Sequence, residues 1–263
     1  MIRWYLPVTA IKGDYNLEAY TSFAQVYDLF MDEIPYDAWS EYVQGMLKEY
    51  GIDSGIVVDL ACGTGEMTRR LQDAGYDMIG VDFSEEMLEI AREKCGTGVL
   101  LLHQDMRELD LYGTARAMVC VCDGMNYICE ASELETVFQR VSMFLDRDGV
   151  FIFDMKTDYF YREVLGNRTL TDNRDNASYI WENVYHEQEK LNEYLLTVYQ
   201  LVDDKQDLFM RTDELHRQRA YEIALVKECM ERQGFYQIQV YEAMTKTEPA
   251  KQSERVYFAA RKK

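Results

Sequence analysis

The stretch that decides the fold of this chain is residues 57–66, VVDLACGTGE. A short apolar run that contains Asp59 is followed at once by Gly63 and Gly65, and then by a polar, helix-like segment. Glycines at these positions let the backbone turn sharply, and they let a ligand approach without a Cβ in the way. In open parallel sheets, ligands bind beyond the carboxyl ends of the strands. The stretch therefore predicts a strand, a ligand-binding loop and a helix.

Outward from this unit, short apolar runs alternate with amphipathic segments between residues 56 and 155. Strands are predicted at IVVDLA, DMIGVD, VLLLHQD, ARAMVCVCD and GVFIFDM, with helices at EMTRRLQDAG, SEEMLEIAREK and ASELETVFQRVSMFL. Two short-linked strands that we expect to be antiparallel, FYQIQVYEA and ERVYFAARK, close the chain. This alternation is typical of an α/β fold with a doubly wound, mostly parallel sheet covered on both faces. Together these runs predict a seven-stranded sheet.

Two regions stand outside this alternation. The N-terminal stretches EAYTSFAQVYDLFM and DAWSEYVQGMLKEY have helical periodicity and are separated by Pro35. Between residues 178 and 219, alternating Tyr, Thr, Val and Leu predict an antiparallel meander of about three strands, with a hairpin turn at 203–205. The predicted organisation is a tail and cap helices (1–50), a binding core (51–156), an inserted lid (157–219), and the last helix with the closing strands (220–263). The first 16 residues read as a tail without an assigned role.

Composition excludes several classes of partner. The chain has 263 residues, is 48% hydrophobic and carries a formal net charge of −19. Such a surface repels phosphate, so nucleic acid and anionic membranes are disfavoured. No signal peptide and no apolar run of membrane-spanning length is visible, which predicts a cytoplasmic protein with its six cysteines as buried free thiols. No metal site is expected, because the pair Cys120 and Cys122 has no second pair at ligand spacing.

The acids around the glycine loop indicate which nucleotide it binds. Asp82 ends the second predicted strand, where a carboxylate can accept the hydroxyls of a ribose. The dinucleotide fingerprint requires a third glycine, but Thr68 occupies that position. Asp59 and Glu66 add negative charge that opposes a pyrophosphate and suits a ligand with cationic groups. This combination favours S-adenosylmethionine over NAD or FAD.

At this point the sequence resembles a known family. VVDLACGTGE, GVDFSEEML, LLHQDMREL and MVCVCDGMNYI are similar, in order and spacing, to the first four motifs of class I S-adenosylmethionine-dependent methyltransferases. The resemblance covers residues 56–155, and the closing strands are similar to that family's reversed hairpin at the sheet edge. The N-terminal region and the meander resemble a bacterial subgroup that acts on small molecules. The implied fold is the Rossmann-like methyltransferase fold.

The resemblance also implies roles for individual residues. The backbone of Ala61, Cys62, Gly63 and Gly65 would hold the methionine portion, with Asp59 close behind it. Asp82 would bind the ribose, and adenine would lie among Phe83, Met87, Asp105 and Met106. Cys122 and Asp123 would face the methionine end and the acceptor, while Tyr20 and Tyr27 would close over the cofactor.

Each of these residues also has a simpler structural interpretation. Asp82 and Asp105 can cap the turns that follow them, and Met87 and Met106 can belong to the core. His103 is expected to be structural, and His186 and His216 are expected at solvated edge positions.

The implied activity is methyl transfer to an N, O, S or C atom of a small-molecule acceptor by in-line displacement. Alignment supplies much of the rate in such reactions, so a general base is not essential. If the acceptor must lose a proton, Asp123, Tyr127 and His186 are the candidates, and Asp123 and Tyr127 are the predicted catalytic residues. Two alternatives stay open, an NAD-linked oxidoreductase on a related sheet and a non-catalytic regulatory protein that binds S-adenosylmethionine. The acceptor and the oligomeric state do not follow from the sequence.

Overall fold

The N-terminal region carries two helices ahead of the main sheet. The computed structural model describes Tyr20 and residues 23–263, so the expected tail lies outside the described residues. Helix α1 spans Ala24–Phe30 and helix α2 spans Tyr36–Glu49, with Pro35 between them as expected.

The main sheet of the described residues has seven strands in the order β10-β11-β5-β4-β1-β2-β3. Their bounds are β1 Ile56–Leu60, β2 Asp77–Asp82, β3 Leu100–His103, β4 Ala115–Cys120, β5 Leu145–Lys156, β10 Phe235–Glu242 and β11 Arg255–Lys262. Strands β1 to β5 pair in parallel, and β11 runs antiparallel to both β5 and β10. The strand order reverses between β1 and β4, so the carboxyl ends of these two strands flank a crevice where ligands bind in such sheets.

Helices cover both faces of this sheet and bury its apolar strands. They are α3 Glu66–Asp73, α4 Glu85–Cys95, α5 Ala131–Phe144 and α6 Ile223–Arg232, with 3-10 turns at Gly96–Gly98, Met106–Glu108 and Gly124–Tyr127. One apolar cluster includes Phe138, Phe153 and Phe258, and the cluster on the opposite face includes Leu47 and Leu71. The predicted α/β fold with a mostly parallel sheet is therefore confirmed. Within the described part of the chain, no helix combines the length and apolar character needed to cross a membrane.

The insertion forms a second, antiparallel sheet. In the described residues it has four strands in sequence order, β6 Thr169–Asn173, β7 Ala177–His186, β8 Leu191–Asp203 and β9 Leu208–Arg219. The meander was expected to have about three strands, and β6 is the addition. Its sequence TLTDN is short and polar, so it carries little of the alternation that reveals a strand; its register is set by pairing with β7. A π-helical turn at Phe160–Leu165 connects β5 to this sheet.

Candidate functional site

A cavity of about 250 Å³ lies at the carboxyl ends of β1, β2 and β4. Most of the predicted site residues line it, namely Tyr20, Tyr27, Asp59, Ala61, Cys62, Gly63, Asp82, Phe83, Met87, Asp105, Met106, Cys122 and Tyr127. Gly65 and Asp123 are not among the lining residues. Further lining residues were not predicted as site residues from the sequence, namely Tyr36, Thr64, Gln104, Arg107 and Gly124.

The two glycines of the loop have different roles. Both adopt left-handed backbone angles, with φ of 54° at Gly63 and 80° at Gly65. A Cβ added at Gly63 would meet nothing within 4 Å, so this glycine leaves open space on the cavity side. A Cβ at Gly65 would lie 2.9 Å from Cys95 Sγ and 3.1 Å from Ala91 Cβ. Gly65 is therefore required by the close approach of α4.

Asp82 is fixed at the end of β2 with its carboxylate toward the loop. The backbone N–H of Gly63 donates to Oδ2 over 2.8 Å and that of Ser84 donates to Oδ1 over 2.9 Å. Burial raises the pKa of Asp82, and these backbone hydrogen bonds oppose that effect in part. Each carboxylate oxygen has a further lone pair, so Asp82 can accept two more donors. A pair of vicinal hydroxyls, as in a ribose, is such a ligand.

Asp59 is a buried acid at the floor of the cavity. It is 1% exposed, and the hydroxyl of Thr68 donates to its Oδ2 over 2.6 Å. Burial raises the pKa of Asp59 to about 7, since the hydrogen bond from Thr68 offsets only part of the desolvation. The group is thus poised to ionise when a positive charge enters the cavity.

Glu66 has cationic partners that the sequence pattern did not reveal. Lys94 Nζ donates to its Oε1 over 2.5 Å, and Arg70 contacts its other oxygen. Lys94 also donates to Asp28 of α1 over 2.7 Å, and the hydroxyl of Thr64 donates to the same carboxylate over 2.7 Å. The charge of Glu66 is therefore compensated, and the network ties α1 to the glycine loop.

At the opposite end of the cavity, Asp105 is paired with its neighbour Arg107. The backbone N–H of Arg107 donates to Asp105 Oδ1 over 2.8 Å, and its guanidinium contacts both oxygens. Burial raises the pKa of Asp105, but the hydrogen bonds from Arg107 outweigh it and hold the pKa below the usual range. Met106 and the half-exposed ring of Phe83 complete an apolar wall here. A flat, partly polar ring such as adenine fits this combination of apolar and acceptor groups.

Tyrosine hydroxyls meet at the end of the cavity nearest the second sheet. The hydroxyl of Tyr127 lies 2.6 Å from that of Tyr20, 2.9 Å from that of Tyr194 and 3.1 Å from His216 Nδ1. His216 Nε2 lies 3.2 Å from a carboxylate oxygen of Glu214. His216 is 1% exposed, so the expectation of a solvated edge position is wrong for this residue. Although β9 is an edge strand, the rings of Tyr20 and Tyr194 pack against His216.

Asp123 belongs to a buried ion-pair cluster beside the cavity. Cys122 and Asp123 both have left-handed φ angles, 66° and 58°, and this turn places Cys122 in the cavity wall. The Asp123 carboxylate lies 2.8 Å from Arg255 and 3.1 Å from Lys156, and it accepts from Gln218 Nε2 over 2.9 Å. Burial raises the pKa of Asp123, but the two cations outweigh it and hold the pKa below the usual range. A carboxylate held in this way is a weak base.

The other two histidines lie away from this group of tyrosine hydroxyls. His103 Nε2 contacts the carbonyl oxygen of Phe83 at 2.7 Å. His186, whose side chain is 36% exposed, lies 2.9 Å from Glu193 on the second sheet and is absent from the cavity lining.

The sequence of β9 does contain a signal for the buried polar residues that were not predicted. Glu214, His216 and Gln218 alternate on one face of that strand, and all three are buried.

Comparison with known proteins gives a consistent result. A methyltransferase domain profile matches residues 57–149. The chain is 36% identical to a protein of Geobacillus sp. (strain WCH70) with a proposed methyltransferase assignment, over 92% of this chain and 99% of the relative. It is 27% identical, over 54% of this chain and 55% of the relative, to the dTDP-3-amino-3,6-dideoxy-alpha-D-glucopyranose N,N-dimethyltransferase of Streptomyces fradiae. The crystal structure of an S-adenosylmethionine-dependent methyltransferase from Clostridium acetobutylicum superposes with a TM-score of 0.81 at 28% identity, covering 93% of this chain and 99% of the other.

Proposed function

This chain belongs to the S-adenosylmethionine-dependent methyltransferases, and on that premise we propose that it transfers the methyl group to a small-molecule acceptor by in-line displacement. The observation that carries the proposal is the size and lining of the cavity. Its volume is about 250 Å³, and Tyr20, Tyr27 and Tyr36 line it together with the loop after β1. A small molecule can be surrounded in such a space, whereas a folded macromolecule can present only a narrow extension to it.

We assign the different parts of S-adenosylmethionine to different residues that line the cavity. We assign the ribose to Asp82, the adenine to Phe83, Met87, Asp105 and Met106, and the methionine portion to Asp59 and the backbone from Ala61 to Gly63. Gly65 acts indirectly, by letting α4 approach the loop. We also propose that the second sheet, through Tyr194 and His216, lies behind the acceptor end, where both residues contact the hydroxyl of Tyr127.

The chemistry at the acceptor end depends on alignment and on the exclusion of water. S-adenosylmethionine supplies a methyl group on a positively charged sulphur, which keeps the bonding electron pair as the methyl group leaves. Tyr127 and Cys122 line the wall where the acceptor must approach, and Tyr20 closes that wall. Holding the acceptor in line can contribute about 7–11 kcal/mol to the barrier reduction. Of the predicted catalytic pair, we place Tyr127 against the acceptor, and Asp123 orients the turn through Arg255 and Lys156.

The acceptor class draws support from one relative. The Streptomyces fradiae protein is named for dimethylation of an amino sugar nucleotide. A polar, hydroxyl-rich or amine-bearing metabolite would suit the tyrosine and histidine groups at this end of the cavity.

Calorimetric titration with S-adenosylhomocysteine tests this proposal. We expect one site per chain with a dissociation constant in the micromolar range. Incubation with methyl-labelled S-adenosylmethionine and a metabolite extract should then transfer the label to a low-molecular-weight compound that mass spectrometry can identify. An absence of binding heat with either ligand would contradict the proposal, and label found only in macromolecules would contradict the small-molecule acceptor.

The affinity for S-adenosylhomocysteine should depend on pH through Asp59. Because burial raises the pKa of Asp59 to about 7, the acid is neutral below that pH in the free protein. The α-ammonium of the ligand favours the carboxylate, so binding releases a proton and weakens as the pH falls. We expect about a tenfold lower affinity at pH 6 than at pH 8. Calorimetry at the two pH values with Asp59→Asn as the matched control should show a flatter dependence in the variant; equal slopes would contradict the assignment.

A further inference from the structure

We propose that Tyr20, Tyr127 and His216, backed by Glu214, form a buried proton relay, and that the acceptor atom is therefore one that carries a proton, as in an amine, a hydroxyl or a thiol. This inference rests on the proposed methyl transfer and adds to it the proton-accepting residues and the class of acceptor. Tyr20 and Tyr127 line the cavity, whereas His216 and Glu214 act through them.

The contacts fix the direction of the relay. The Glu214 carboxylate accepts from the backbone N–H groups of Tyr20 and Phe23 over 2.7 and 2.8 Å. A carboxylate can only accept, so His216 must present a proton on Nε2 to the same group. A neutral imidazole carries one ring proton, which leaves Nδ1 as an acceptor for the hydroxyl of Tyr127. The oxygen of Tyr127 has two lone pairs, so it can then accept from the hydroxyls of both Tyr20 and Tyr194.

The charge states agree with this arrangement. Burial raises the pKa of Glu214, but hydrogen bonds from His216 and from the backbone outweigh it, so the acid is ionised at neutral pH. Burial lowers the pKa of His216, and its contact with Glu214 offsets only part of that effect. His216 is thus a neutral base next to a fixed negative charge. Any imidazolium formed there gains an immediate counter-ion.

The surroundings of His216 supply few competing charges. Tyr194 of β8 stacks on its ring with centroids 4.5 Å apart, and Tyr20 meets it edge-on at 4.9 Å. Tyr127 approaches from the turn after β4, and Glu214 lies on β9 itself. Burial raises the pKa of Tyr20 and Tyr127 well above the usual value, so both hydroxyls keep their protons at rest. These groups favour proton transfer along the hydroxyls over direct ionisation of either tyrosine.

The proton balance selects the acceptor. As the lone pair of an amine or hydroxyl acceptor forms the new bond to the methyl carbon, the attacking atom becomes positively charged, and it returns to neutrality by losing the proton that it carries. That proton passes to the oxygen of Tyr20, the proton of Tyr20 passes to Tyr127, and the proton of Tyr127 passes to His216 Nδ1. The result is a neutral methylated product and an imidazolium paired with Glu214. A tertiary amine or a thioether has no such proton and would gain nothing from the relay.

The second sheet also provides a matched control. His186 and Glu193 form a His–Glu pair at 2.9 Å, but this pair is half-exposed and lies outside the cavity. Replacing His186 therefore removes the same chemical group from the same sheet without touching the relay.

Nitrogen-15 NMR of labelled histidine tests the relay directly, because the chain has only three histidines. In the complex with S-adenosylhomocysteine at pH 7, His216 should be neutral with its proton on Nε2, as identified by the signal lost in His216→Gln. A protonated ring, or a proton on Nδ1, would overturn the proposal, since neither form could accept from Tyr127. The spectrum decides this without any acceptor.

Kinetics test the acceptor class. The probes are primary and secondary amines, alcohols, thiols, tertiary amines and thioethers, each offered with methyl-labelled S-adenosylmethionine. Label should enter only the proton-bearing classes, and kcat should fall about a hundredfold or more in His216→Gln and Tyr127→Phe. The acid limb of the pH profile should also disappear in His216→Gln. His186→Gln should leave both kcat and the profile unchanged.

The outcomes separate this inference from the proposed function. Failure to bind S-adenosylhomocysteine would overturn the methyl transfer itself. Normal binding with full turnover and an unchanged pH profile in His216→Gln would overturn the relay alone, as would preferred methylation of a tertiary amine or thioether. Glu214→Gln should shift the acid limb of the profile, because the imidazolium loses its counter-ion; its folding and S-adenosylhomocysteine affinity are measured alongside, since Glu214 also accepts from the backbone N–H groups of Tyr20 and Phe23.

Discussion

Asp82→Asn is expected to weaken the binding of S-adenosylhomocysteine by about a hundredfold or more. The carboxylate of Asp82 is already oriented by the backbone N–H groups of Gly63 and Ser84, and its remaining lone pairs face the cavity. Hydrogen bonds to a charged group contribute about 1.5–3 kcal/mol each, and a ribose offers two hydroxyls. The amide keeps the shape of the side chain but presents one acceptor and one donor. Calorimetry on the purified variant measures the loss.

A control for this substitution lies on the same strand. Asp77 begins β2 and is exposed at the amino end, away from the cavity. Asp77→Asn should therefore bind S-adenosylhomocysteine as the unmodified protein does. If the affinity of Asp82→Asn for S-adenosylhomocysteine lies within threefold of that of the unmodified protein, the assignment of the ribose to Asp82 is wrong.

Among the substitutions proposed here, Arg255→Met is expected to lower the free energy of unfolding the most. The guanidinium of Arg255 contacts Asp154, which is 0% exposed, and lies 2.8 Å from the buried Asp123. Removing it leaves carboxylates in the interior with only part of their counter-charge, which typically costs about 3–5 kcal/mol. The thermal midpoint of a chain of this size should fall by about 10 °C. Differential scanning calorimetry measures the shift.

Two further variants separate the burial of charge from the general effect of losing an arginine. Arg232 on α6 pairs with Glu135 and Glu228 at the surface, so Arg232→Met should change the thermal midpoint little. Combining Arg255→Met with Asp154→Asn removes the stranded charge and should recover part of the loss. A midpoint of Arg255→Met equal to that of Arg232→Met would contradict the argument.

The glycine-loop end of the cavity could be predicted because its parts are close together in sequence. A strand end, a glycine loop and an acid after the next strand come within residues 57–82, and parallel pairing of β1 with β2 places them side by side. The alternation of apolar runs fixed the order of elements for the same reason. This local pattern did not reveal why a particular residue type is needed at each position. At Gly65, for example, any side chain would collide with Ala91 and Cys95 of α4.

The negative charge expected beside the ligand comes from fewer residues than the sequence suggested. Glu66 was expected to present a negative charge to the ligand, but Lys94 and Arg70 compensate it. Lys94 is distant in sequence and approaches only because α4 lies beside the loop. Asp59 was expected at the end of the first strand, and it lies there without a cationic side-chain partner among its described hydrogen bonds; its burial was not predicted.

The end of the cavity nearest the second sheet could not be predicted because it is built from residues that are distant in sequence. Tyr20 precedes α1, Tyr127 follows β4, and His216 lies on β9. Whether the face of β9 is buried depends on what packs against it, and nothing local in the sequence shows that Tyr20 does so. The alternation of Glu214, His216 and Gln218 marked a polar face, yet a polar face on an edge strand is ordinarily solvated.

Glu214 has a consequence that concerns timing. The same carboxylate that orients His216 also holds the backbone N–H groups of Tyr20 and Phe23. The placement of the Tyr20 hydroxyl in the cavity and the orientation of His216 therefore depend on the same carboxylate. If the proposed relay operates, its proton acceptor is correctly oriented only when Tyr20 is also in place, so the timing of proton transfer is coupled to the position of Tyr20.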